Sequence, residues 1–332
     1  MDFKASITEK GAILLGENVA CDAFDQRPLR VVTHAHADHL LGLQQSLKHC
    51  ETVLMTPATK DLIEVLNGPL FLMQGNITTL PYEKPFHHDK EQMRFYYADH
   101  ILGAAQVVVD DAEGTRIVYT GDFRLADTPV IEADVVVLEA TYGNPAKTRH
   151  FENEVQKSLI SLVEEGLKHG AVYVFGYHGK LQEVMQILHE AKVKAPFIVP
   201  EKVFQVCKIC EKHGMRMGRY MLSSTEQAQL MMERKETFVA FYHMGSRHKI
   251  GANAFRIYVS GWEFNSACRK TGENEYLVAL SDHSDFNGLL RYVEECKPKQ
   301  VITDNYRIGD ACVLAKEIQK RLGIPAKPLP VK

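Results

Sequence analysis

The chain reads as an α/β protein, and three observations carry that reading. Short apolar runs rich in β-branched residues alternate with stretches of helical periodicity. After about residue 150 the alternation becomes regular, as in a parallel α/β unit. Polar residues of chemical interest fall at the carboxyl ends of the predicted strands, where loops converge and ligands bind in such sheets.

Taken in order, LRVVTHA, TVLMT, RIVYTGD and VVVLEAT are expected to be buried strands that end in polar residues. TKDLIEVLN and ENEVQKSLISLVEEGLKH carry the spacing of amphipathic helices, the second with Thr148 or Asn153 as cap. There follow AVYVFGY, a helix from Lys180, FIVP, a helix from Glu201, and the runs ETFVAFYH and FRIYVSGW. EYLVALS, the helix FNGLLRYVEEC, the strand KQVITDN and the helix ACVLAKEIQKRLG close the chain. No internal repeat or low-complexity stretch interrupts the pattern.

Composition sets outer bounds. The 332 residues suit one large domain or two of ordinary size. Hydrophobic residues at 45% and charged residues at 24% have the balance of a globular protein. No run approaches the roughly 20 consecutive apolar residues of a membrane span. The start, MDFKASITEKGAILLG, lacks a secretory pattern, so a cytoplasmic location is expected. Seven scattered cysteines suit reduced thiols. The CxxC at Cys207 and Cys210 has no second pair to complete a four-sulfur site, so both are expected to face a core. A net charge of −3 advertises no polyanion partner, and a nucleic-acid enzyme would need a local basic surface.

The chemistry concentrates in THAHADH, residues 33–39, directly after a predicted strand. Its pattern is His-x-His-x-Asp-His, four candidate ligands within six residues. His34 and His36 can address one ion, Asp38 and His39 another. Imidazole and carboxylate suit zinc, and also manganese or iron. Downstream, His100 stands at a strand end before ILGAAQ, and Asp122 ends RIVYTGD, where a carboxylate can bridge two ions.

HAHADH, then His100, TGDFR, LEATYG at 138–143 and LSDHSD at 280–285 resemble, in that order, the β-CASP nuclease branch of the metallo-β-lactamase superfamily. With SGW at 260–262, the chain looks most similar to the ligase-associated DNA exonucleases; Artemis-like and RNA 3′-end-processing enzymes are more distant. The resemblance implies an αββα sandwich over residues 1–148 and 266–332, interrupted by an α/β β-CASP cap over 149–265. It implies His34, His36 and His100 on one metal, Asp38 and His39 on the other, and Asp122 between them. Asp22 matches the acidic position that braces the first-metal histidines. Glu139 and His283 match an orienting carboxylate and a general acid for the leaving 3′-oxygen.

One position departs. Where RNA-processing relatives carry a histidine after the penultimate strand, this chain has VITDNYR. Asp304 or Asn305 would have to supply oxygen to the second metal. The resemblance thus implies one or two Zn2+ ions, with Mn2+ or Mg2+ as alternatives at the second site. It points to a nuclease, with DNA favoured over RNA, acting in DNA repair, Asp38 positioning or deprotonating the attacking water. Substrate phosphate is expected at Gly179 and Lys180, where a strand feeds a helix. SRHK at 246–249 and Arg269-Lys270 offer positive charge, and Trp262 or Tyr242 a stacking face, though each also suits an ordinary surface or core role. Two other classes stay open: a thioesterase- or lactonase-type hydrolase, which shares the metals but not the cap or the Glu139/His283 pair, and a scaffold without metal.

Overall fold

The apolar runs of the N-terminal part pair into a six-stranded mixed sheet in the computed structural model, which describes residues 4–68, 75–251 and 253–331. Its strands lie side by side in chain order: β1 (Ala5–Ile7), β2 (Ile13–Leu15), β3 (Val19–Cys21), β4 (Leu29–Val31), β5 (Thr52–Met55) and β6 (Ile77–Thr79). The first three are antiparallel neighbours; β3 to β6 run parallel. A second sheet contains β7 (Phe86–His88), β8 (Glu91–Tyr97), β9 (Ala105–Asp110), β10 (Arg116–Tyr119) and β11 (Val135–Leu138). It is completed beyond β11 by β19 (Gln300–Asp304) and β20 (Ala326–Leu329). The β7–β10 meander is antiparallel, and β10, β11, β19 and β20 are parallel neighbours.

Alternation decides how these sheets stack. Val107 and Val109 of β9, Phe95 of β8 and Val137 of β11 join Ile13, Leu15, Val31 and Leu54 of the first sheet in one buried cluster. Successive strand residues point to opposite faces, so Val108 of β9 is buried on the other side. Helices cover the outer faces. The first sheet carries α1 (Leu43–His49), which packs on β5, and is followed by α2 (Pro57–Asn67). Thr56 caps α2 by accepting from the Thr59 N–H, with Pro57 in the first turn, where no amide partner is lost. On the second sheet, α8 (Ala311–Leu322) packs against β19 and β20 and against α7 (Phe286–Cys296). The result is the expected αββα order.

This unit comprises Met1–Thr148 and Asp282–Lys332; Arg149–Ser281 form the other. The second unit is a seven-stranded sheet in the order β14-β13-β15-β12-β16-β18-β17. Its strands are β12 (Val172–Gly176), β13 (Phe197–Val199), β14 (Tyr220–Leu222), β15 (Val239–His243), β16 (Phe255–Val259), β17 (Cys268–Gly272) and β18 (Glu275–Val278). All neighbours are parallel except β17 and β18. The helices are α3 (Glu152–Leu167), α4 (Lys180–Glu190), α5 (Glu201–Lys212) and α6 (Glu226–Glu233).

Three expectations meet the structure here. The second unit does not end at residue 265: EYLVALS supplies β18, a parallel neighbour of β16, so the unit continues to Ser281. Neither Thr148 nor Asn153 caps α3; the cap is Phe151, without a side-chain hydrogen bond, and Glu152 and Glu154 instead place negative charge at the helix start. Cys207 and Cys210 are buried on α5.

Candidate metal centre

His34 and His36 follow β4, His39 ends a short 3-10 turn, His100 follows β8 and Asp122 follows β10, all within the first unit. Each lies beyond the carboxyl end of a strand, and the stacking of the sheets brings the loops together. At Gly121, φ is +57° and an added Cβ would stand 3.0 Å from the Ala105 carbonyl. Glycine lets the chain turn Asp122 inward at that point.

The side chains converge. His36 Nδ1 lies 3.1 Å from His34 Nε2 and 3.0 Å from His100 Nε2. Asp122 Oδ2 is 3.8 Å from His34 Nε2, 3.9 Å from His100 Nε2 and 3.2 Å from His39 Nε2. Hydrogen bonds behind the rings set which nitrogens face inward. The Thr33 hydroxyl has one proton and donates it to Asp22 Oδ2 at 2.7 Å. Its oxygen, 3.1 Å from His34 Nδ1, therefore accepts from that ring, and His34 Nε2 keeps its lone pair. His100 Nδ1 donates to the Asp282 carbonyl at 2.8 Å, which fixes the same tautomer there. Burial pushes the pKa of His34 well below its usual value and holds His100 down to about 3, so both rings are neutral at pH 7. The inward lone pairs of His34 Nε2 and His100 Nε2 both face His36 Nδ1, a set of nitrogen donors that suits a divalent cation. A tetrahedron with zinc–nitrogen bonds of ~2.05 Å has edges of roughly 3.3 Å, close to the spacing found. His34, His36 and His100, with Asp122 beside them, fit a divalent ion.

His39 has different surroundings. Its Nδ1 is 2.8 Å from Asp22 Oδ2 and its Nε2 faces Asp122. Burial opposes charge on this ring, but the Asp122 and Asp22 carboxylates outweigh it and push the pKa up to about 10. Asp38 lies on the exposed side, its Oδ2 3.6 Å from His39 Nε2. Asp22 is fully buried, has φ +61°, and also accepts from the Thr33 N–H and the Tyr119 hydroxyl. It was expected to brace the first-metal histidines. It holds His39 instead and reaches His34 only through Thr33, because the 3-10 turn carries His39 back over β3.

Glu139 and His283 come together across 144 positions of sequence, His283 Nδ1 lying 3.0 Å from Glu139 Oε2. Glu139 Oε1 also accepts from the Phe123 N–H, next to Asp122, which ties the pair to the centre. The His283 ring stands 4.8 Å from the His100 ring and packs edge-on to buried Tyr142. Burial disfavours its protonated form, yet Glu139, with Asp122 and Asp282, raises its pKa to about 9.

Asp304 and Asn305 do not reach the centre. Asp304 Oδ2 pairs with Arg307 Nη1 at 2.7 Å and its Oδ1 accepts from the Tyr306 N–H, while the Asn305 amide donates to the Pro330 carbonyl. In the second unit the Gly179 N–H donates to Gln182 Oε1, so that amide is committed within its own helix start rather than open to phosphate. Lys180 begins α4. Trp262 is 52% exposed, whereas Tyr242 packs against Tyr173 and Phe175. Ser246 to Lys249 lie on an exposed 3-10 turn, and Arg269 pairs with Glu263. Thr33, Tyr119, Asp282 and Arg307 were not anticipated. Asp282 acts twice, through its carbonyl on His100 and through its carboxylate, 3.8 Å from His283 Nε2, and the first leaves no trace in side-chain identity.

A two-sheet sandwich that gathers such a cluster at its strand ends defines a metal-dependent hydrolase of the metallo-β-lactamase fold. The chain belongs to the beta-lactamase superfamily: the sequence model of the Beta-lactamase superfamily domain matches residues 24–194. A protein of Acidianus ambivalens called "Uncharacterized protein in lig 3′region" is 40% identical over 129 residues, 38% of this chain and 92% of that one. A "Probable DNA ligase" of Opitutus terrae is 24% identical over 90% of this chain, which spans 28% of it. An "RNase J-like protein" of Methanocaldococcus jannaschii, a β-CASP relative, is 26% identical over 55% of this chain and 50% of its own length. The chain thus spans half or less of the last two. Among the described residues, no helix is long and apolar enough to cross a membrane.

Proposed function

We propose that the chain is a metal-dependent phosphodiesterase, a DNA exonuclease acting in DNA repair or processing. The observation that carries this reading is the placing of the Glu139–His283 pair against the His34/His36/His100/Asp122 cluster. A thioester-cleaving hydrolase needs no second acid of this kind, because a thiolate departs unprotonated, whereas a sugar oxygen departs as an alkoxide that must take up a proton. The relatives named as a DNA ligase and an RNase J-like protein support a nucleic-acid substrate.

A divalent ion at His34, His36, His100 and Asp122 would supply Lewis acidity, activating water at neutral pH and offsetting charge on phosphorus. The chain's own residues do the rest. Thr33 and the Asp282 carbonyl hold the ring nitrogens toward the centre. Asp38, on the exposed side next to His39, positions the attacking water and accepts its proton. Glu139 holds His283 through Nδ1, and Nε2, with the Asp282 carboxylate 3.8 Å away, would deliver a proton to the departing 3′-oxygen. Lys180, at the start of α4, would hold substrate phosphate through its side chain. Free cysteines fit a reducing cytoplasm.

The test is an end-labelled panel of single- and double-stranded DNA and RNA, each with Zn2+, Mn2+ or Mg2+. The expected result is stepwise shortening of DNA from one end. Cleavage of RNA alone would assign an RNA-processing enzyme of the same branch, and thioester turnover without any nucleolysis would reject the phosphodiesterase reading.

A further inference from the structure

We infer that Asp99 and Arg124 form a clamp that sets the spacing of two metal-bearing loops, and that the affinity of the centre for its ion depends on it. The inference rests on reading His34, His36, His100 and Asp122 as a metal site. Asp99 stands directly before His100, and Arg124 two places after Asp122. The two loops do not follow neighbouring strands, because β9 lies between β8 and β10. Two strand spacings leave those strands roughly 9.6 Å apart, and ladder hydrogen bonds join only adjacent strands. Yet His100 Nε2 and Asp122 Oδ2 stand 3.9 Å apart. The approach is made beyond the sheet edge, by the loops themselves.

The bonds that join these loops gather on one pair of residues. The Arg124 N–H donates to the Asp99 carbonyl at 2.6 Å, in an antiparallel bridge outside the named strands. The side chains repeat the link: Arg124 Nε donates to Asp99 Oδ2 at 2.7 Å and Nη2 to Oδ1 at 3.2 Å, the two-pronged fit of guanidinium to carboxylate. Thr128 closes the ring. Its hydroxyl accepts from the Asp99 N–H at 2.8 Å and donates to the Arg124 carbonyl at 2.7 Å. Asp99 is buried and Arg124 half-buried. An exposed ion pair holds geometry poorly, whereas a shielded bidentate one fixes both distance and angle. Neither side chain belongs to the His34/His36/His100 cluster, so both are positioning residues. Asp110 and Arg116 make the same kind of pair at the far ends of β9 and β10, with Arg116 Nε 2.7 Å from Asp110 Oδ1. That pair supplies the control.

The test separates the geometry of the centre from stability. The purified chain is stripped with a chelator and loaded with Co2+, whose visible absorption reports ligand geometry, and Zn2+ affinity is read by competition with a chromophoric chelator. Asp99→Asn and Arg124→Gln should each weaken Zn2+ binding by about tenfold or more and alter the Co2+ spectrum. The double variant should bind no more weakly than the worse single one, because both changes remove the same link. Asp110→Asn should keep the wild-type spectrum and affinity. Arg124→Lys retains the charge but loses the fork, and a loss of about threefold or more there decides the matter if the other variants do not fold. Wild-type spectrum and affinity in folded Asp99→Asn and Arg124→Gln would overturn the proposal, as would an equal loss in Asp110→Asn. A wild type that binds no ion overturns the metal-centre reading itself and the clamp with it, whereas unchanged variants of a metal-binding wild type strike the clamp alone.

Discussion

Thr33 has one hydroxyl proton, and its delivery to Asp22 turns His34 Nε2 into a donor for a cation. Removing that hydroxyl should cost metal affinity without removing a ligand. Thr33→Ala is expected to weaken binding of the ion by 10- to 100-fold, read by competition with a chromophoric chelator, while turnover at saturating metal falls far less. His283→Ala should show the opposite pattern, with metal content unchanged and turnover down by at least 100-fold. His36→Ala is expected to lose both. Unchanged turnover in the His283 variant would reject its assigned role. Beneath the loop, Arg30 is fully buried and donates to the His39 carbonyl at 3.0 Å. Arg30→Met would leave that carbonyl unpaired, and urea unfolding should show a loss of about 2 kcal/mol.

Single elements show where stability lies. Phe95, central in β8 and fully buried between the sheets, is expected to cost about 4 kcal/mol as Phe95→Ala, with the midpoint of denaturation falling accordingly. The β9–β10 hairpin answers to pH instead. Burial would raise the Asp111 carboxyl, but Lys4 at 2.8 Å and the Thr115 N–H outweigh it and hold its pKa below the usual carboxylate value. The unfolded chain thus binds this proton more readily. Its contribution is present in full above about pH 4 and is lost as pH falls through the lowered pKa. Thermal melts between neutral pH and about pH 3 should show a smaller acid-induced drop for Asp111→Asn than for the wild type.

For the whole molecule, the centre ties parts of the chain that are far apart in sequence. Residues 34, 100 and 122 precede the second unit, whereas Asp282 and His283 follow it. An ion that binds only the folded first unit adds its binding free energy to folding, about 2.7 kcal/mol at a hundredfold excess over Kd. Stripping metal should lower the melting temperature by several degrees, and Zn2+ or Mn2+ should restore it. A melting temperature indifferent to metal would contradict the centre.

Local sequence determined a good deal here. Strands ending in His34, His100 and Asp122, and the helices from Lys180, Glu201 and Phe286, were legible because apolar spacing and side-chain chemistry are properties of contiguous residues. So was the metal-binding composition of HAHADH. Tertiary structure alone decided what stood behind those residues: Asp22 on His39 rather than on the first-metal histidines, Asp304 taken by Arg307, Gly179 taken by Gln182, and EYLVALS added to the second sheet. Asp22 meets His39 across 17 positions and β18 meets β16 across a longer connection, so packing brings those together; Asp304 and Arg307, like Gly179 and Gln182, are three apart, and there the backbone turn decides which atoms come within about 3 Å. Residue type declares what a side chain can bind; only the folded chain decides whether something else already holds it.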